Sequence, residues 1–159
     1  MSMTNAAIAR VFDEIADLLE MKGENQFKIR AYRQAARAIK KLPSEVEQMV
    51  RNGDSLQDIP GVGEAIAKKI DDLVKTGHVK VHDELRAEFP QGILDILAIP
   101  GVGTRTTFRL YTELGVKSVA ELEQAIREGR VASMQRMGEK AAQRILSQIE
   151  SGGAKGHSC

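Results

Sequence analysis

The five residues Ile-Pro-Gly-Val-Gly occur twice in this chain, at Ile59–Gly63 and again at Ile99–Gly103, forty positions apart. A residue before proline avoids the helical region, so Pro60 and Pro100 each end whatever helix precedes them. Two glycines around a valine allow positive φ and a close backbone approach, while the valine packs between the flanking elements. Both copies then run into helical spacing. They align without gaps, DIPGVGEAIAKKIDDLVKTG from Asp58 with AIPGVGTRTTFRLYTELG from Ala98, which reads as a duplicated helix–turn–helix unit. A third, decayed copy has QRMGEK in place of PGVGEA. There Arg136 stands at the first glycine's position, so this turn is expected to miss the left-handed conformation and to be structural only.

Apolar residues recur at helical spacing along almost the whole chain, and no period-2 run stands out. Ile8, Phe12, Ile15 and Leu19 mark a first helix, capped by Thr4 or Asn5 and stopped by Gly23. Phe27, Ala31, Tyr32, Ala35 and Ile39 mark a second. A third opens after Pro43-Ser44 and stops at Gly53. Further helices follow Gly63 to Thr76, about His82 to Phe89, and Gly92 to Ala98. The last three run from the second Gly-Val-Gly to Leu114, from the Ser118–Glu121 capping box to Gly129, and from Glu139 to Ile149. The expected fold is all-α, in two small helical subdomains spanning 1–90 and 91–150, with a disordered polar tail at 151–159.

No stretch approaches the roughly 20 apolar residues of a membrane span. The N-terminal MSMTNAAIAR lacks a signal-peptide pattern, so the expected address is the cytoplasm, or the nucleoid if the source is bacterial. The single cysteine, Cys159, leaves no disulfide framework or zinc site. Net charge is only +1, but its distribution is uneven. Lys22, Lys28, Arg30, Arg33, Arg37, Lys40 and Lys41 stand against Glu24 alone, and an acidic run (Asp13, Glu14, Asp17, Glu20) precedes them. This gives either a basic binding face or two solvated helices paired by charge.

The Gly-Val-Gly turns fit none of the familiar nucleotide loops. A Walker A loop requires a second glycine followed by lysine, and a dinucleotide fingerprint requires a third glycine where Ile66 and Thr106 stand. What remains is a glycine that delivers the chain into a helix N-terminus, whose free N–H groups and positive dipole end suit a phosphate. Such a contact fixes position on DNA and carries no base information. Gly61, Val62 and Gly63, with Lys68 in the following helix, form the first candidate; Gly101, Val102, Gly103, Thr104 and Arg105 form the second, with Arg109 beyond. Glu64 suits the helix dipole but repels phosphate. Lys68 lies between Glu64 and Asp72 at i−4 and i+4, where ion pairing is expected. The bland alternative is two tight turns without a ligand.

With these residues in view, the chain resembles the N-terminal part of a family X DNA polymerase of bacterial type. The resemblance rests on GENQFKIRAYRQAARAIKKLP, DIPGVGEAIAKKIDDLVKTG and ILDILAIPGVGTRTTFRLYTELG, in that order, and covers about Asn5 to Glu150. It implies a lyase domain and a fingers subdomain, each with one helix-hairpin-helix motif, and no catalytic palm. It also implies removal of a 5′-deoxyribose phosphate through a Schiff base. The family's nucleophilic lysine falls on Lys69, with Lys28 and Tyr32 at matching site positions and Arg30 and Arg33 nearby. An amine nucleophile must be neutral, whereas free lysine titrates near about 10.4, so neighbouring cations and partial burial would favour the reaction. Phe27, Ala65 and Lys68 depart from the family pattern, leaving Arg30, Arg33 and Lys80 as substitute cations.

The resemblance further implies Na+ or K+ at the hairpins, held by the carbonyls of Gln57, Ile59 and Val62 and of Leu97, Ile99 and Val102. The expected partners are nicked, gapped or abasic duplex DNA, together with a repair polymerase or ligase. A different class of function, a protein-binding scaffold that has lost its DNA contacts, is the alternative.

Overall fold

The computed structural model describes residues 3–152. The expected tail at 151–159 lies outside the described residues apart from Ser151 and Gly152, which close the last helix with a turn. The chain divides into two compact units, one running through Arg86 and the other starting at Ala87. Among the described residues the fold is all-α: α1 (Asn5–Lys22), α2 (Gln26–Lys41), α3 (Val46–Asn52), α4 (Glu64–Thr76), α5 (Lys80–Glu88), α6 (Gly92–Leu97), α7 (Thr104–Leu114), α8 (Val119–Arg127) and α9 (Gly138–Glu150).

The first unit is built on α1 and α2. The Thr4 hydroxyl accepts from the Ala7 N–H and caps α1, and Gly23 ends it at φ 75. Ile8, Phe12, Ile15 and Leu19 repeat at i, i+4, i+7 and i+11 and are buried against α2, where Phe12 stacks on Tyr32 at 6.0 Å. Ion pairs fix the antiparallel register: Lys40 reaches Asp13 at 2.9 Å, while Arg33 reaches Asp17 at 3.0 Å and Glu20 at 2.7 Å. Asn5 ties α1 to the start of α3, donating to the Ser44 carbonyl and accepting from the Val46 N–H. The remaining carboxylate of the acidic run, Glu14, meets His82 of α5 at 2.9 Å. A single 3-10 turn, Leu56–Asp58, precedes the first Gly-Val-Gly.

The second unit packs α6 to α9 around Ile93, Ile96, Ile99, Leu110, Leu122 and Val131, all nearly or fully buried. The Ser118 hydroxyl caps α8 by accepting from the Glu121 N–H, and the Glu121 carboxylate reaches back to the Lys117 N–H. Gly92 opens α6 against this cap. A side chain there would run into the Lys117 carbonyl and the Ser118 Cα. Phe89 meets Tyr111 edge-on at 6.2 Å.

The third turn departs from expectation. Arg136 does take the left-handed conformation, at φ 64. The Met137 N–H bonds the Met134 carbonyl at 3.1 Å, and Met134 in turn bonds Val131, as the matching residues do in the other two turns. With Val131 fully buried and Met134 nearly so, the packing holds Arg136 in a conformation costing roughly 1–2 kcal/mol. Gly138 differs from its counterparts, lying at φ 77 inside α9.

Candidate nucleic-acid interface

Each Ile-Pro-Gly-Val-Gly stretch separates into buried anchors and an exposed rim. Ile59 and Val62, and likewise Ile99 and Val102, are at most 5% exposed and fasten the turn to its helices. Pro60, Gly61 and Gly63, with Pro100, Gly101 and Gly103, face water. In each copy the valine N–H bonds the isoleucine carbonyl at 3.0 Å. The first glycine supplies the left-handed step, at φ 90 for Gly61 and φ 85 for Gly101.

The second glycine does not use the positive φ that the sequence allows it. Gly63 lies at φ −89, ψ −176 and Gly103 at φ −95, ψ −173, extended backbone that any residue adopts. A Cβ at either position would meet nothing within 4 Å. Neither conformation nor packing within the chain therefore calls for glycine. Both sit at the N-cap of a helix, where serine, threonine or aspartate would bond the first-turn N–H groups. Without that cap, the N–H groups of Glu64, Ala65 and Ile66, and of Thr104, Arg105 and Thr106, have no hydrogen-bond acceptor among the described residues. Two helix N-termini are thus left open and unhindered, the arrangement an anionic oxygen fits.

The carbonyls on the same turns are also available. Pro60 and Pro100 have no N–H, so Gln57 and Leu97 receive no turn bond, and the carbonyls of Val62 and Val102 accept none either among the described residues. Those of Ile59 and Ile99 each use one lone pair in the turn. Carbonyl oxygens of this kind are the ligands that hard cations take. Among the described residues, no group of three or more His, Cys, Asp or Glu side chains gathers to hold a metal.

The side chains are sorted by partner. Lys68 is exposed, and no ion pair joins it to Glu64 or Asp72, contrary to its spacing; on a solvated helix face such a pair gains only about 0.2–0.5 kcal/mol. Lys69 is half-buried on α4, and neither it nor the exposed Lys28 has a polar partner among the described residues. Tyr32 belongs to the core, and burial pushes its phenol above the ordinary value. Arg33 is turned towards α1 and held by Asp17 and Glu20, whereas Arg30 lies over the exposed Phe27 ring at 5.9 Å. In the second unit Arg109 pairs with Glu113, leaving Arg105 exposed beside the half-buried Thr104. A cleft of about 710 Å³ between the start of α1 and α3 is lined by Glu45, Glu47 and Asp54, the wrong sign for a polyanion.

Sequence comparison agrees with this geometry. Residues 3–79 match the family described as a helix-hairpin-helix domain, and residues 93–151 match the SAM-like helix-hairpin-helix tandem. The chain therefore carries two helix-hairpin-helix domains, and over nearly its whole length it is homologous to the N-terminal quarter or so of DNA polymerases of the PolX and lambda type. It is 30% identical over 146 residues to the DNA polymerase/3′-5′ exonuclease PolX of Bacillus subtilis, an alignment covering 92% of this chain and 25% of that protein. With DNA polymerase lambda of Arabidopsis thaliana it shares 25% identity over 146 residues, 91% of this chain and 26% of the relative. The chain thus spans about a quarter of the length of these relatives. No helix among the described residues is long and apolar enough to cross a membrane.

Proposed function

We propose that this protein binds nicked or gapped duplex DNA in a repair setting, without base specificity, by presenting two hairpins to backbone phosphates. The observation that carries this reading is the uncapped, unhindered glycine at the start of α4 and again of α7. A residue that its own fold does not require is explained by something that approaches it from outside. A phosphate oxygen takes the first-turn N–H groups, and Lys68, Thr104 and Arg105 add cationic and hydroxyl contacts; the carbonyls of Gln57, Ile59 and Val62 and of Leu97, Ile99 and Val102 would hold a Na+ or K+, which would supply further positive charge to the DNA backbone.

The test is a substitution with opposite effects on folding and binding. In the Gly63→Asp, Gly103→Asp double variant each carboxylate caps its helix and occupies the phosphate position. Thermal melts should show equal or slightly higher stability, by a few tenths of a kcal/mol per site. Fluorescence anisotropy with a labelled gapped duplex should show affinity reduced at least tenfold, with intact and unrelated-sequence duplexes ranking the loss. Unchanged affinity in the folded variant would remove the hairpins from the interface and favour a protein-binding scaffold.

A second reading, 5′-deoxyribose-phosphate lyase, is favoured by the half-buried, unpartnered Lys69. Its amine would add to the C1′ aldehyde and lose water to give the Schiff base. Loss of a C2′ proton then breaks the C3′–O bond and frees the 5′-phosphorylated strand. Borohydride should trap a covalent adduct with an incised abasic duplex. An adduct that persists in Lys69→Ala assigns the chemistry to another amine.

A further inference from the structure

The acidic run on α1 offers little charge to solvent partners, because all four carboxylates are engaged within the first unit. Asp13 takes Lys40, Asp17 and Glu20 share Arg33, and Glu14 takes His82. Two of the basic residues of α2 are thereby neutralised. The others that face away from α1 are not: Arg30, Arg37 and Lys41 are exposed and have no ion-pair partner among the described residues. With the exposed Gln34 they fall at i, i+4, i+7 and i+11 on one side of the helix. The first hairpin lies close to α2 at this point, since a Cβ added at Gly61 would stand 3.9 Å from the Gln34 backbone carbonyl.

From this sorting of charge we infer that the Arg30–Arg37–Lys41 stripe of α2 is a second phosphate-contacting element of the first unit, laid along one DNA strand beside the hairpin. The inference rests on the DNA-binding reading above and extends it to residues outside the hairpins. The stripe is about 16 Å long at 1.5 Å per residue, enough to follow several phosphates of a strand that advances about 3.4 Å per nucleotide. Charge complementarity selects the occupant: three uncompensated cations suit a polyanion, and Gln34, which lies between Arg30 and Arg37, carries no opposing charge. Long flexible cations on a rigid helix contact phosphates in any sequence, so the stripe adds grip and no base readout.

The experiment measures binding of the full chain to a fluorescein-labelled gapped duplex by anisotropy across a salt series. The variant is Arg30→Gln, Arg37→Gln, Lys41→Gln, and the control is Lys40→Gln, which removes a cation already paired with Asp13. Loss of three phosphate contacts should flatten the log affinity against log salt slope by about 2.7, while the control changes it by well under 1. A slope in the triple variant equal to that of the wild type, with wild-type melting behaviour, overturns the stripe but leaves the hairpin reading standing. An equal flattening by Lys40→Gln also overturns it, because the effect would then follow bulk charge. No measurable wild-type binding overturns both. Should the triple variant melt early, Arg37→Lys, which keeps the charge, must retain the wild-type slope.

Discussion

Burial raises the Asp17 carboxyl above the ordinary carboxylate range, and the hydrogen bond and charge of Arg33 work in the opposite direction. Replacing Arg33 with methionine removes the opposing influence, so the folded pKa of Asp17 rises further. An acid whose folded pKa exceeds its unfolded value holds its proton more tightly when folded. Its contribution to stability is then largest when protonated and falls as pH rises between the two values. Arg33→Met should therefore destabilise by about 1–2 kcal/mol at pH 7, the low end for charged hydrogen bonds because both groups are partly open to water. Urea titrations at pH 7 and pH 5 should show that deficit shrinking at the lower pH. A deficit equal at both would place the cost on packing of the Arg33 stem instead. The sequence supplied Arg33 as a cation on a basic helix. Its orientation was hidden because Asp17 and Glu20, which claim it, belong to another helix.

Elements were largely legible, since helix boundaries here are set by local chemistry. Thr4, Gly23, Gly77, Gly115 and Ser118 act as caps and stops where the sequence puts them, and the helix after each Gly-Val-Gly starts on the residue that follows. Gly92 was different. Its requirement comes from the Lys117–Ser118 backbone lying against it, a contact between segments distant in sequence. Gly92→Ala forces α6 away from the α8 cap and should cost about 1–3 kcal/mol, read as a lowered melting temperature. No loss of stability would mean that α6 shifts freely. The turn at Arg136 departs from its local preference for a related reason: a side chain disfavours positive φ, but the turn is anchored by the buried Val131 and Met134. The Leu56–Asp58 turn and the start of α5 at Lys80 carried no apolar periodicity long enough to announce them.

At the scale of the whole molecule, a net charge of +1 describes neither surface nor function. Internal pairing absorbs the four acidic residues of α1, which leaves Arg30, Arg37 and Lys41 of α2 without an opposing carboxylate from that helix. The salt series proposed above therefore reports how charge is arranged in space, and total charge cannot stand in for it. Each unit brings one Ile-Pro-Gly-Val-Gly hairpin, so on the proposed reading the phosphate contacts are divided between the two compact units. Chemistry at Lys69 would belong to the first alone.

The sequence by itself determined the all-α class, the caps, the two equivalent hairpins and the family resemblance, because glycine, proline and apolar spacing act over a few residues. Only the tertiary structure decided which charges remain free and which glycines the fold requires. Those outcomes depend on what arrives from elsewhere in the chain: the acids of α1 for Arg33 and Lys40, the Lys117–Ser118 backbone for Gly92, and nothing at all for Gly63 and Gly103.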